Sequence, residues 1–403
     1  MDEGSKAAGL MTPRQTVGLW LGILASGFVL LVGPPDSLSA FADDAQSAVL
    51  AWRVFALVLL MAIWWVSEAI PIPVTALLPL IWLPLAGVMP IRNAAAEYMH
   101  PVVVLLMGGF IVAKAIERWN LHTRIALNIV ARSGNNPGMI IGGFMVACAV
   151  LSMWISNTAT SIMMMPIAIS VAIAILGRDK IDAPFTLALL LGIAYACSIG
   201  GLGTLIGTPT NLLIQGYLND VAGLSIDFVD WMKLGIPAVL VLLPLAWLVL
   251  TKWAFKIETA GSGAAQDVIT AHRDALGAMT VPERRTLYVF AVVAGLWVLG
   301  GPLKTWDVGA MFGKNAFVPF AGLTDHVVAI IGVVLCFLVP AGSGKKGETI
   351  LDWKTAESIP WGVVLLFGGG MSLASALTQS GLGGWMGSEL TDLANLPVIL
   401  LML

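Results

Sequence analysis

The sequence predicts an all-α, polytopic membrane protein in which part of the first half recurs, with opposite orientation, in the second. Three observations carry that reading. Of the 403 residues, 58% are hydrophobic and 11% charged, at a mean hydropathy of +0.90, whereas a soluble domain carries roughly a quarter charged residues. Uncharged runs long enough to cross a hydrocarbon core, which takes about 20 residues, recur along the chain. A stretch starting at Ala96 returns 260 residues later.

Taken in order, Gln15–Gly33, Val54–Ser67, Ala69–Ile91, Leu234–Thr251, Thr286–Leu303 and Val327–Gly344 read as single crossings, bounded by charges or by turns such as Gly33-Pro34-Pro35. Gln15–Gly33 is long for a signal peptide and is followed by a poor cleavage site, so it is taken as the first helix. Three runs demand more. Ser133–Gly177 holds 45 uncharged residues with Ser156-Asn157-Thr158 in its middle, the pattern of a re-entrant hairpin with a polar tip. Ala183–Asn219, at 37 residues, is too long for one helix and too short for two with a loop. Its Gly200-Gly201-Leu202-Gly203 and Gly207-Thr208-Pro209-Thr210-Asn211 read as a crossing unwound at mid-depth. Lipid cannot satisfy free N–H and C=O groups, so such a segment must be buried in protein or line a cavity. The third run, Ser358–Ser388, belongs to the repeat.

The formal net charge of -3 gives no basic excess for nucleic acid, and the composition excludes soluble enzymes. With the N-terminus cytoplasmic, inside segments carry 15 of the 21 Lys+Arg and outside segments 5, with Lys114 inside a run. That is a clear positive-inside bias. The longest polar stretch, Lys252–Arg285, reads as a cytoplasmic linker. Cys148, Cys197 and Cys336 lie in apolar runs without metal-ligand spacing and are expected to be buried core residues.

At an offset of 260, Ala96/Ala356, Glu97/Glu357, Val103/Val363 through Leu106/Leu366, Gly108/Gly368 and Gly109/Gly369 coincide; after a one-residue slip, Ala113/Ala374, Ala115/Ala376 and Leu121/Leu382 follow. The first copy enters the bilayer from outside and the second from inside, the signature of an inverted-repeat secondary transporter. The expected organisation is then scaffold helices over 1–95, a first-repeat transport domain over 96–220 with the hairpin at 133–177 and the broken helix at 183–219, scaffold helices with the 252–285 linker over 221–350, and the start of a second-repeat transport domain over 351–403. The same offset places a second polar tip near position 417, so the second half reads as incomplete and the sequence as a fragment of a longer chain.

Hydroxyls, amide oxygens and bare carbonyls at helix breaks are hard ligands suited to Na⁺, whereas a transition metal calls for His or Cys. Ser152, Ser156, Asn157, Gly207 and Thr208 supply them with no carboxylate, and the spacing of Ser152 and Ser156 predicts one face of the ascending arm. No Lys or Arg lies in either broken segment, so an anionic substrate depends on helix N-termini and on the bound cation. Thr158, opening the second arm, is the natural carboxylate contact, and Pro209 with the flanking glycines holds the second segment unwound. Lys114 is read as snorkelling toward the inner face and Glu68 as closing the second helix at the interface. His100, His122, His272 and His326 lie at run ends, so Ser156 has no base at its depth and a membrane-embedded enzyme is unsupported. The 15 tryptophans are assigned mostly to run ends and lipid-facing helices.

With these residues assembled, the chain resembles the divalent-anion/sodium symporter family, on the strength of Ser156-Asn157-Thr158, Gly200-Gly201 through Gly207-Thr208-Pro209-Thr210-Asn211, and Phe367-Gly368-Gly369-Gly370 with Ala374 and Leu377. The resemblance implies Na⁺ as coupling ion, held by Ser152, Ser156, Asn157 and the Gly207 backbone, and a substrate touching Asn157 and Thr158, with Thr208 and Pro209 beside them. It implies symport of C4-dicarboxylates such as succinate, malate and fumarate. Exchange, sulfate or tricarboxylate transport on the same fold, and a truncated non-transporting membrane protein are the alternatives. It further implies a homodimer, an elevator-type motion and residence in the cell (inner) membrane. Thr210 stands where many relatives carry a second proline.

Overall fold

The computed structural model describes residues 11–176, 183–220, 222–257, 263–307 and 317–389. Helices dominate them, and the sole β pairing among the described residues is an isolated Pro340–Thr349 bridge. Among the described residues, eight helices are long and apolar enough to cross a membrane.

Local chemistry sets most boundaries. Helix α1 (Pro13–Val32) opens on a capping box of Thr12 and Gln15 and stops at Gly33, φ 78°. After a short α2 (Asp36–Phe41), α3 (Ala45–Ser67) opens where Asp44 accepts the Ser47 N–H at 2.6 Å and closes on Glu68 in the left-handed region, φ 51°. The expected start at Val54 is nine residues late, because Arg53 does not end the helix: its guanidinium donates to Ala86 O at 2.7 Å. The single crossing expected over Ala69–Ile91 is also corrected. It is split into α4 (Ile72–Thr75) and α5 (Leu78–Leu85). Pro79 has no N–H to give the Thr75 carbonyl, so the ladder fails there.

Next come α6 (Ile91–Ala96), a 3₁₀ turn (Glu97–Met99), α7 (Pro101–Arg118) and α8 (Leu121–Val130). The 133–177 run folds as α9 (Pro137–Ser152) and α10 (Asn157–Leu176) around a four-residue tip, and the 183–219 run as α11 (Pro184–Gly201) and α12 (Pro209–Asp220) around an unwound segment. The α9 arm, at 16 residues and ~1.5 Å each, is too short to span ~30 Å. The next helix, α13 (Phe228–Leu248), continues through a π turn (Val249–Ala254), so the expected Leu234–Thr251 crossing is longer at both ends. Asp230 and Lys233, which looked like boundaries, pair with each other at 2.7 Å within its first turns.

Within 252–285, α14 (Gly263–Ala275) buries Ala265 and Ile269 in the core, while Gly261-Ser262 lies outside the described residues. Helix α15 (Val281–Lys304) follows, then α16 (Asp325–Leu338), which stops six residues short of the expected Gly344 as the chain turns into the Pro340 bridge. The last elements are α17 (Trp353–Ala356), α18 (Trp361–Gln379) and α19 (Leu382–Glu389); the rest of the expected 351–403 segment lies outside the described residues.

The chain divides into two compact units, Met1–Val103 with Pro360–Leu403, and Val104–Ile359. In the first, Leu57, Met61, Leu83, Ala376 and Leu382 form the core, and the glycine pair of α18 packs Gly368 on Tyr98 and Gly369 on Ala76. In the second, α8 to α11 enclose Phe144, Met145, Met164 and Leu189, together with Cys148 and Cys197. All three cysteines are buried and free. The tryptophan assignment has exceptions here: Trp297 is fully buried, stacked on Phe228 at 4.9 Å, and the hairpin-tip Trp154 meets Phe290 edge-on at 5.0 Å.

The two copies of the repeat share a local plan. Each is a short helical turn, a long helix with a close-packed glycine pair (Gly108 on Ala329 and Gly109 on Ile206 in the first), a left-handed residue and a short helix. The left-handed residues are Asn120, φ 53°, and Gly381, φ 73°, which correspond after the one-residue slip.

Candidate functional site

The ascending arm α9 ends at Ser152, and the chain reverses through Met153 to Ile155, whose N–H groups fold back on Ala149 O and Leu151 O at 2.9–3.3 Å. Ser156 then starts the other arm. Its Oγ accepts the Ala159 N–H at 3.2 Å and its carbonyl takes the Thr160 N–H at 3.0 Å, which makes it the N-cap of α10. The expectation that Ser152 and Ser156 share a face of the ascending arm is therefore wrong: the helix ends between them, because the Ser156 hydroxyl is worth more as a cap than as one more helical residue.

Ser152 is fully buried, and its hydroxyl faces two acceptors, Asn157 Oδ1 and Cys197 O, the latter at 2.7 Å. A hydroxyl has one proton, so it can donate to only one of the two oxygens. The unwound segment of the broken helix lies against the same spot. A Cβ on Gly201 would stand 3.0 Å from Asn157 Oδ1 and 3.3 Å from Gly207 O; one on Gly207 would stand 3.0 Å from Ser152 O. Only glycine admits this approach, and Gly200, whose Cβ would overlap the Ala149 backbone, lets α11 close on α9. Among the described residues, no donor reaches Ser152 O or Gly207 O. Ser152, Asn157 and Gly207 thus bring four oxygens together with one proton among them.

The carbonyls of Gly201, Leu202 and Thr204 are taken. The Asn211 amide, 1% exposed, donates to Gly201 O and Thr204 O, both at 2.8 Å. The Thr204 hydroxyl donates to Met153 O, tying the segment to the hairpin tip, and the Trp231 indole donates to Leu202 O at 3.0 Å. Sequence reasoning missed the roles of Asn211, Thr204, Trp231 and the Cys197 carbonyl. Asn211 carried a signal, an amide one turn beyond an unwound glycine segment in an otherwise apolar run. The others had none.

Of the expected substrate contacts, Thr158 is exposed on the first turn of α10, Pro209 opens α12, and the Thr208 and Thr210 hydroxyls lie 3.4 Å apart. Lys114 pairs with Glu117 at 2.7 Å, which answers its charge within the helix. Among the described residues no cluster of three or more His, Cys, Asp or Glu is arranged to hold a metal ion. What the arrangement offers is oxygen alone, from hydroxyl, amide and carbonyl groups, with helix N-termini close by.

Residues 39–403 match the family described as the sodium:sulfate symporter transmembrane region. The chain is 39% identical over 396 residues to the sodium-dependent dicarboxylate transporter SdcS of Staphylococcus saprophyticus, a match covering 96% of this chain and 72% of the relative. It is 38% identical over 401 residues to the protein of the same name from Staphylococcus aureus, with the same coverage. This polytopic membrane chain therefore belongs to the sodium:sulfate symporter family.

Proposed function

We propose that the protein is a sodium-coupled symporter of C4-dicarboxylates such as succinate, malate and fumarate. The observation that carries the reading is the convergence of Ser152 Oγ, Asn157 Oδ1 and the undonated carbonyls of Ser152 and Gly207. Buried carbonyls without donors are costly, by several kcal/mol each in a lipid setting, and a desolvated monovalent cation is the partner that satisfies several at once. Na⁺ enters this site as co-transported cargo; Ser156 holds the tip in shape as the cap of α10. The dicarboxylate binds beside it at Asn157, Thr158, Thr208 and Pro209, on the N-termini of α10 and α12, each worth roughly half a positive charge. With no Lys or Arg in these segments, the anion depends on the cation, and that dependence couples the two fluxes. The names of the two relatives support a dicarboxylate over sulfate.

The positive-inside bias supports a cytoplasmic N-terminus in the cell (inner) membrane. The family likeness supports a homodimer in which residues 96–220 move as an elevator against scaffold helices of 1–95 and 221–350. The test is uptake of labelled succinate into proteoliposomes with and without an inward Na⁺ gradient. Uptake should require Na⁺ and be lost in Asn157→Ala. Uptake without Na⁺ that needs internal dicarboxylate would replace symport by exchange, and sulfate uptake in its place would overturn the cargo.

A further inference from the structure

The second unit carries a cavity unrelated to the oxygen cluster. A groove of about 340 Å³ runs between α9 and α13, lined by Met139, Gly142, Val146, Leu243, Pro244 and Trp247, and Arg132 lies at its mouth. The lining is almost wholly hydrocarbon, and its length follows α9 for two turns, from Met139 to Val146. Trp247 fixes the width: its indole donates to Gly138 O at 2.7 Å and leans on Gly142, where a Cβ would come within 3.1 Å. Val146 leaves 44% of its surface open. A peptide strand would bring backbone N–H and C=O groups into this groove with nothing to receive them. An alkyl chain meets no such penalty.

The mouth is cationic. Arg132 is exposed, and among the described residues its one hydrogen bond, from Nη1 to Asn128 O at 2.6 Å, leaves the rest of the fork open. Five residues beyond Trp247, where α13 passes into its π turn, Lys252 and then Lys256 are also exposed. Among the described residues no carboxylate forms an ion pair with any of the three. Trp253, 80% exposed beside Lys252, has the amphipathic ring that membrane proteins place at headgroup level. Hydrocarbon below, exposed cations above and an indole at the junction match the order of groups in one molecule.

We propose that this groove binds an anionic glycerophospholipid, with an acyl chain along α9 and α13 and the phosphate on Arg132 and Lys252. The lipid ties the hairpin arm to α13 at a place remote from the Ser152, Asn157 and Gly207 oxygens, so it stands whether or not the transport reading does. The experiment is native mass spectrometry of the purified 403-residue chain, delipidated and titrated with phosphatidylglycerol or phosphatidylcholine. One phosphatidylglycerol should be retained in preference to phosphatidylcholine. Removing each cation, in Arg132→Gln and Lys252→Gln, should weaken it roughly fivefold, and the double variant about 25-fold, from about 1 kcal/mol per basic residue. Val146→Trp, which fills the groove from an exposed position, should abolish retention while monodispersity and thermal midpoint stay at the parent values. Equal retention of both lipids by the parent would overturn the proposal, as would folded charge variants that hold phosphatidylglycerol as the parent does.

Discussion

Two of the breaks in apolar runs among the described residues, α4–α5 and α11–α12, are made and finished differently. The first, between α4 and α5, follows from prolines, and neighbouring rings donate to carbonyls around it: the Trp65 indole to Ile72 O at 3.3 Å and the Tyr98 hydroxyl to Ala76 O. Gly369 packs on the Ala76 backbone and closes the gap. The second, between α11 and α12, is made by glycines and held by Asn211, Thr204 and Trp231, yet among the described residues no donor reaches Gly207 O or Ser152 O. A break alone is thus not a site. A break becomes one when donors are placed to shape it and withheld from the oxygens that converge.

The difference can be broken by substitution, starting with the largest effect. A methyl on Gly207 would sit 2.5 Å from Gly201 O and 3.0 Å from Ser152 O. Overpacking of about 2–3 kcal/mol corresponds to roughly 30- to 150-fold in the intact site, so Gly207→Ala should lose Na⁺-driven uptake by that factor while the chain still inserts and purifies. Parent-like initial rates would mean that the oxygen cluster is not where the cation binds. Asn211→Leu strands the Gly201 carbonyl at about 1–3 kcal/mol and takes one of two donors from Thr204 O, which keeps the Gly207 N–H. The thermal midpoint should fall, and the Na⁺ concentration for half-maximal uptake should rise about tenfold with the succinate KM at saturating Na⁺ little changed. Trp231→Phe removes one donor, worth about 1 kcal/mol, and should move the same Na⁺ curve roughly fivefold.

The first break supplies the control. Tyr98→Phe deletes the hydrogen bond to Ala76 O and should lower stability by about 1 kcal/mol, measured as a drop in the unfolding midpoint, with the Na⁺ curve unmoved. A clear shift in Na⁺ dependence would erase the distinction between a plugged break and an open one.

The sequence exposes these two breaks unequally. Glycine clusters and a polar Ser-Asn-Thr announce themselves within long uncharged runs, so the hairpin and the α11–α12 break are legible to within a few residues. Charges were the weaker guide. Arg53 lies within α3 because its partner is the Ala86 carbonyl, and Asp230 and Lys233 lie within α13 because they answer each other. The Ala69–Ile91 run looked continuous because its five prolines carry no charge to interrupt an apolar stretch while they remove backbone donors. Ser156 was misplaced for a related reason: spacing of four implies a shared face only if the helix persists, and a cap hydroxyl ends it. Which carbonyls keep a donor depends on Asn211, Trp231 and Tyr98 in three dimensions, and no spacing encodes that.

The smallest effect concerns α8, which packs against the arm α9 that carries Ser152. His122 lies on it, 9% exposed, with Nδ1 3.2 Å from Ile116 O, so the proton is assigned to Nδ1 from that contact. Burial holds its pKa below the ordinary 6.5, against the smaller opposing effects of the Ile116 carbonyl and Glu117. Above 6.5 the imidazole is neutral in both folded and unfolded chains and contributes nothing to the pH dependence. As the pH falls below 6.5, the unfolded chain gains the proton first, so stability drops until the folded pKa is reached and then levels off. The unfolding midpoint should therefore decline as the pH falls below about 6.5 in the parent. In His122→Asn, whose amide can still donate to Ile116 O, that share of the slope should vanish. Tyr98→Phe should keep the parent slope at a uniformly lower midpoint, because its loss lies at the other break and carries no charge. An unchanged slope in His122→Asn would place the acid response elsewhere in the chain.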